Sequence, residues 1–300
     1  SKWGATGIGG SLSKVGLNSN NLGNRSRQIS TLFLEHRAYF LNKKLDITPG
    51  VALSHYSNFG SHFFPGIDVG YTLKSGIKLF TNMGYTWRIP TYTDLYYVGT
   101  ANIGNENLVP ESALSYEVGA KYTHSHWHTN ISWFSRKSSN LIDWIKDSKA
   151  SDTSKWQPQN LNDLTIRGLD FNINLSGQAL LGSNEILENI QIGYTYIDAE
   201  IPQYSNIISR YVLENLNHQL TVNIQHRIVG QLHHNLRLRY LDRASMANYF
   251  VIDTKLFWEA EKYSFYLTIN NLFNESYYES NLVEMPDLWL FAGIKLKIPY

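Results

Sequence analysis

Between Leu216 and Ile228 the chain alternates strictly between apolar and polar positions. Leu216, His218, Leu220, Val222, Ile224, His226 and Ile228 fall on one face, and Asn217, Gln219, Thr221, Asn223, Gln225 and Arg227 on the other. A period of two is that of a β-strand with one apolar and one strongly polar face. The next segment repeats it, with Leu232, Leu236, Leu238 and Tyr240 set against His233, Asn235, Arg237 and Arg239. Phe250, Ile252, Leu256 and Trp258 oppose Asp253, Lys255 and Glu259, and Leu290, Ile294, Leu296 and Ile298 oppose Lys295 and Lys297. No amphipathic helical pattern separates these strands, which excludes parallel βαβ units. No uninterrupted apolar run reaches about eighteen residues, so no membrane helix is predicted.

The connections follow a second period. Short ones fall at Asn42–Lys43, Lys74–Gly76, His124–His126, Val229–Gly230 and Glu261–Lys262, with the longer Gly177–Glu188 in the same set. Between them come Lys14–Arg25, Arg88–Ser112, Asp147–Asp163, Glu200–Asn215 and Asn274–Leu288, which are long, and Ser57–Ser61 and Arg243–Ala247, which are short. One strand between each pair gives about fourteen antiparallel strands, mostly long enough to cross a bilayer when tilted. The strand from Trp127 to about Lys146 is longer than a bilayer requires, and its upper part is expected to project beyond the membrane. Alternating short turns and long loops around such strands predict an all-β fold, a transmembrane antiparallel β-barrel. Backbone polar groups in lipid must be paired, and a closed sheet achieves this without helices. A soluble sandwich or propeller would alternate too, but its strands average about six residues, roughly half the length read here.

Composition narrows the chemistry. The 300 residues carry a formal charge of +1, which gives no electrostatic case for a nucleic-acid partner. Cysteine is absent, which removes disulfides, thiolate catalysis and cysteine-based zinc sites. Charged residues are sparse and tyrosine leads the aromatics. The start, Ser1-Lys2-Trp3, has no signal-peptide core, so the chain is read as mature or as beginning partway through a longer protein. Gly7–Gly10 is glycine-rich with no helix to follow, which argues against a phosphate cradle. No G-x-S-x-G motif is present, and no catalytic constellation is expected. His124, His126 and His128 alternate about a turn without a carboxylate or thiol beside them, so they are read as wet turn residues rather than metal ligands. His233 and His234 point to opposite faces of one strand and cannot chelate together. Arg237, Arg239, Asp253 and Lys255 are expected to line the lumen, and Trp87, Trp258 and Tyr300 to belong to the interfacial girdle.

Two blocks carry a resemblance. RIPTYTDLY at Arg88–Tyr96, GNENLVPE at Gly104–Glu111 and ALSYEVG at Ala113–Gly119 resemble the block R-x-P-t-x-x-E-L-Y … G-N-P-x-L-x-P-E-x-s-x-x-y-E-x-G of TonB-dependent outer-membrane receptors. Glu106 stands where that family usually has proline, and Asp94 where glutamate is commoner. TINNLFNESYY at Thr268–Tyr278, MPDLW at Met285–Trp289 and GIKLKI at Gly293–Ile298 resemble the ending of the same family, with Leu288 where arginine is common. The resemblance implies a 22-stranded barrel filled by an N-terminal plug that carries the TonB box. It implies that residues 1–300 are the C-terminal portion of that barrel, about fourteen strands, with the plug and first strands outside the sequence. The implied role is capture and import of a scarce ligand in the cell outer membrane, without catalysis or a resident cofactor. The implied partners are outer-membrane lipid, the TonB complex through the plug, and a small-molecule ligand. Rival readings are a passive porin and a docking barrel for a surface lipoprotein.

A narrower resemblance concerns the ligand. SNNLGNRSR at Ser19–Arg27 before LFLEHR at Leu32–Arg37, with NLIDWI at Asn140–Ile145 and the segment Asn160–Gly168, resembles cobalamin receptors of Bacteroidetes type. A ferric-siderophore or haem receptor is the alternative. Tyr92, Tyr96, Tyr97, Trp156, Tyr204 and Tyr211 fall in the outer loops and are the candidate ligand-binding residues. Aromatic rings give rigid contact area with a polar tip, which suits a large amphiphilic ligand. The alternative role is packing of the loops on each other or on a lipoprotein. Arg88, Lys149, Lys155 and Arg210 are scattered among these loops, which tilts the reading toward a neutral corrinoid.

Overall fold

The computed structural model describes residues 4–73, 76–149, 154–161, 163–182, 186–200, 207–210, 216–244, 246–280 and 283–296. Five strands open the chain: β1 (Gly4–Ser19), β2 (Gly23–Phe40), β3 (Leu45–Tyr56), β4 (Gly60–Thr72) and β5 (Ile77–Arg88). A short helix, α1 (Tyr92–Tyr96), precedes β6 (Glu111–His124) and β7 (Trp127–Ser139). Then come β8 (Leu141–Asp147), β9 (Gln157–Leu161), β10 (Leu164–Ser176), the short helix α2 (Gly177–Leu181), β11 (Leu187–Glu200) and β12 (Ile207–Ser209). β13 (Leu216–Val229), β14 (Leu232–Arg243), β15 (Met246–Glu259) and β16 (Tyr263–Asn270) follow. The hairpin β17 (Tyr278–Ser280) and β18 (Val283–Glu284) separates them from β19 (Trp289–Leu296).

Fourteen of these strands form one antiparallel wall in the order β1-β2-β3-β4-β5-β6-β7-β10-β11-β13-β14-β15-β16-β19. The wall is open among the described residues, with β1 and β19 as its edges. Cross-strand register keeps the two faces distinct. Gln191, Asn223, Arg237 and Asp253 make one polar row, and Ile192, Val222, Leu238 and Ile252 make the apolar row beside it. The four residues expected in the lumen fall on the polar face, since Arg237 pairs with Asp253 and Asn235 with Lys255. Within the wall the apolar face leaves Leu79 43% and Ile131 49% exposed, which water would penalise and lipid would not.

Aromatic rings on the polar face lie over glycines of the neighbouring strand. Phe80 pairs with Gly119, Phe134 with Gly168, and Tyr266 with Gly293. A Cβ on Gly119 would meet the Phe80 ring at 2.6 Å, and one on Gly168 would meet Phe134 at 2.4 Å. Each ring covers the backbone its partner leaves bare, which pins register. Among the girdle candidates, Trp87 packs against His62 and Tyr85, and Trp258 against Tyr263 and Phe265. Tyr300 and Lys74 lie outside the described residues.

Several expected connections differ. Lys14–Arg25 is not a long loop, because the ladder continues to the pair Ser19 and Gly23 and leaves Asn20–Leu22 as the turn. The long strand from Trp127 breaks at Asn140, whose φ of 55° is left-handed and redirects the chain. Its upper half becomes β8, which leaves the wall and forms a three-stranded sheet, β12-β8-β9, with segments expected to be plain loops. The Gly177–Glu188 connection holds α2, and Arg88–Ser112 holds α1. The hairpin β17–β18 occupies part of Asn274–Leu288.

Candidate ligand-binding site

The connection between β5 and β6 is folded by the residues that carried the motif. Thr91 caps α1 by accepting from Asp94 N, while the Asp94 carboxylate accepts from Thr91 N at 3.0 Å and Thr91 Oγ1 at 2.7 Å. This is a reciprocal capping box, with aspartate in place of the usual glutamate. The same carboxylate accepts from Trp144 Nε1 of β8 at 3.1 Å. Arg88 donates twice to Glu111, at 2.5 and 2.9 Å, and Glu111 also accepts from Ile142 N at 3.0 Å. The hydrogen bond to Glu111 holds the Arg88 guanidinium above its ordinary pKa. Gly104 approaches α1 so closely that a Cβ there would sit 2.7 Å from the Leu95 and Tyr96 backbone, and Gly104 N donates to Tyr97 O at 2.6 Å. Asn105 donates from its backbone to Asp94 O and from its side chain to Pro158 O of β9. Leu95, Leu108 and Ile142 fill the space these bonds enclose, with Phe59 and Tyr96 packed on them. The motif residues therefore brace the loop against β8 and β9.

The predicted aromatics are placed on this brace. Tyr92 and Tyr96 are neighbours, with ring centroids 6.4 Å apart. The Arg25 guanidinium lies 3.6 Å over the Tyr96 ring, and Arg27 lies 4.9 Å over Tyr92 and 5.1 Å over Phe59. Trp156 is tied to the same loop by exchanging backbone hydrogen bonds with Ala101 and Ile103, and Arg210 lies 4.6 Å over its ring. The Tyr97 ring lies along Gly99. All four are half-buried, and the Tyr92 hydroxyl is buried without a hydrogen-bond partner among the described residues. Tyr204 and Tyr211 lie outside the described residues.

Cations complete the layer. Arg25, Arg27 and Arg210 stack on the predicted rings; sequence reasoning noted Arg210 only as a scattered loop cation and gave Arg25 and Arg27 no role of their own. None of the three takes part in an ion pair among the described residues. Arg27 sits at the upper end of β2, beyond the roughly eleven residues that cross a bilayer, and donates to Asn58 Oδ1 and Pro90 O. Burial pushes its pKa below the ordinary value. Of the scattered cations noted in the sequence, Arg88 is engaged by Glu111, Lys155 donates to Gly99 O, and Arg210 donates to Asn102. Asn21 clamps Val98 with two hydrogen bonds, which joins the β1–β2 turn to the layer. No group of three metal-ligating side chains occurs among the described residues.

The far end of the wall holds a second brace of motif origin. Asn271, with φ of 53°, is buried, and its side chain donates to Glu275 O and accepts from Glu275 N. Its backbone N donates to Asp253 at 2.9 Å, which anchors the loop to the wall.

Comparison with known proteins places the geometry. A family described as TonB dependent receptor-like, beta-barrel, matches residues 3–272. A vitamin B12 transporter of Photobacterium profundum is 24% identical over 143 residues, 48% of this chain and 22% of the relative. The ferrienterobactin receptor of Escherichia coli is 22% identical over 178 residues, 53% of this chain and 24% of the relative. The siderophore receptor PirA of Pseudomonas aeruginosa has a similar structure, with a TM-score of 0.74 and 18% identity over 96% of this chain and 50% of that one. The chain thus spans less than a quarter of the curated relatives and about half of the solved structure.

Proposed function

The chain belongs to the TonB-dependent receptor-like β-barrel family of the outer membrane, and from that premise we propose that it forms the wall and capture loops of a receptor that imports a scarce, large ligand. The observation that carries this reading is the braced loop layer. Arg88, Asp94 and Glu111 hold the loop against β8, and Asn105 ties it to β9, so the half-buried rings are held without freedom to collapse. A preorganised aromatic surface loses little conformational entropy on binding. In this reading energy coupling runs through the TonB complex and a plug, and the wall itself performs no chemistry.

Cobalamin is the ligand we favour. The likeness to a vitamin B12 transporter over 143 residues supports it, as does the wealth of asparagine in the loops, of which Asn107 is exposed while Asn21, Asn102 and Asn105 hold the layer together. A corrinoid is amphiphilic, with amides around its ring, and matches aromatic faces bordered by amides. A second reading, an anionic ferric chelate, is favoured by Arg25, Arg27 and Arg210, three guanidiniums without carboxylate partners among the described residues. A loop layer that docks a surface lipoprotein would instead yield a stable lipid-anchored complex on pull-down. The test is equilibrium binding of cyanocobalamin and of ferric enterobactin to the intact receptor. Nanomolar cyanocobalamin binding, weakened about tenfold by Tyr97→Ala or Trp156→Ala, is expected. Tight binding of ferric enterobactin with none of cyanocobalamin would reverse the assignment.

A further inference from the structure

We propose that the polar face of β7, β10, β11 and β13 carries a second ligand subsite, a neutral amide cradle that receives the amide-bearing edge of the ligand on its way inward; it rests on the corrinoid reading. Charge is distributed unevenly around the inner wall. On one side Asp46 pairs with Arg37 at 3.2 Å and Lys78 at 3.0 Å. On the other Arg239 pairs with Glu279 at 2.7 Å and Asp253 at 3.9 Å. Between these sectors the wall presents Asn130, Asn172, Asn174, Gln191 and Thr221 around Gly193, with Lys121 and His128 closing one edge. They line a cavity of about 430 Å³. The one carboxylate above it, Asp170, is engaged by Thr195 Oγ1 and Asn172 Nδ2.

Three features mark this cavity as a receiving site. Its floor is bare backbone, because a Cβ on Gly193 would press on Thr221 Oγ1 at 2.9 Å and Asn172 Oδ1 at 3.0 Å. Asn130 Oδ1 is buried and has no hydrogen-bond partner among the described residues. An acceptor left so is costly, and an N–H donor that reached it would remove the cost. Four of the lining residues, Asn130, Asn172, Asn174 and Gln191, carry carboxamides, which both donate and accept and therefore match another carboxamide, whereas an anionic ligand would call for guanidinium. The position fits a step after capture. Asn174 is paired with His128, beside the β6–β7 turn, at the end of the wall opposite the loop layer. The cavity takes one edge of a macrocycle rather than the whole.

The experiment uses the intact receptor in cells, with radiolabelled cyanocobalamin. Surface binding is read in energy-poisoned cells and uptake in energised ones. The triple variant Asn130→Ala, Asn172→Ala, Gln191→Ala is expected to keep binding within about twofold and to lose about tenfold in uptake. Gly193→Leu, which fills the floor, is expected to act the same way. Unchanged uptake in the triple variant overturns the subsite. Joint loss of binding, uptake and the folded barrel on unheated gels assigns these amides to structural packing and also overturns it. Failure of the unmodified receptor to bind cyanocobalamin rejects the corrinoid reading and takes the subsite with it, and is seen before any variant is made.

Discussion

Val222 in the wall and Tyr96 in the loop layer meet their neighbours by different routes. Val222 is flanked by Ile192 and Leu238, a consequence of register between strands joined in order along the chain. Tyr96 is covered by Arg25 from the start of β2, and the layer is stitched by contacts such as Asn21 to Val98 and Arg210 to Asn102, 77 and 108 residues apart. The wall repeats one local rule, so a single segment reveals it. The loop layer is assembled from unlike pieces, each held by particular side chains. Substitutions in the wall should therefore be judged by face, and substitutions in the layer by partner.

The largest effect is expected where the wall rule is broken at mid-membrane. Val222→Arg on the apolar row should cost about 3 kcal/mol, while Asn223→Arg on the adjacent polar row should be nearly neutral; refolding titrations into lipid vesicles measure both. Equal costs would erase the distinction between faces. Glu111→Ala should come next, at about 2 kcal/mol of local stability, because it strips Arg88 of both hydrogen bonds and leaves Ile142 N unsatisfied. The barrel should stay assembled while the 88–111 loop becomes sensitive to protease and ligand affinity falls. Asn271→Ala should cost about 1 kcal/mol, freeing the 271–288 loop without touching the capture layer, which hydrogen exchange of that loop would show.

The fourteen wall strands and their two faces were legible because alternation such as Leu216–Ile228 depends only on period. The break at Asn140 was not, since one left-handed residue inside a polar stretch has no periodic signature. β8, β9 and β12 were read as strand or loop because their sheet is closed by tertiary contact. The motif drew attention to the right loop, and Gly104 and Glu111 prove to be its braces. The aromatic candidates Tyr92, Tyr96, Tyr97 and Trp156 do share one layer. Their arginine partners were not legible as such: Arg25 and Arg27 stood only as letters of the Ser19–Arg27 block and Arg210 as a scattered cation, because a stacking partner distant along the chain leaves no local pattern.

The central claim is that the braced layer faces outside and the short turns face the periplasm. Residues 1–300 contain no cysteine, so thiols introduced here can be read one at a time against the labelling of the unsubstituted receptor. Single cysteines introduced as Lys155→Cys and Asn107→Cys in the layer, and as Ser125→Cys and Gly230→Cys in the turns, are exposed to a membrane-impermeant maleimide on intact cells. The account predicts labelling of the first two at once, and of the last two only after the outer membrane is permeabilised. Labelling of Ser125→Cys on intact cells with Lys155→Cys protected would contradict it.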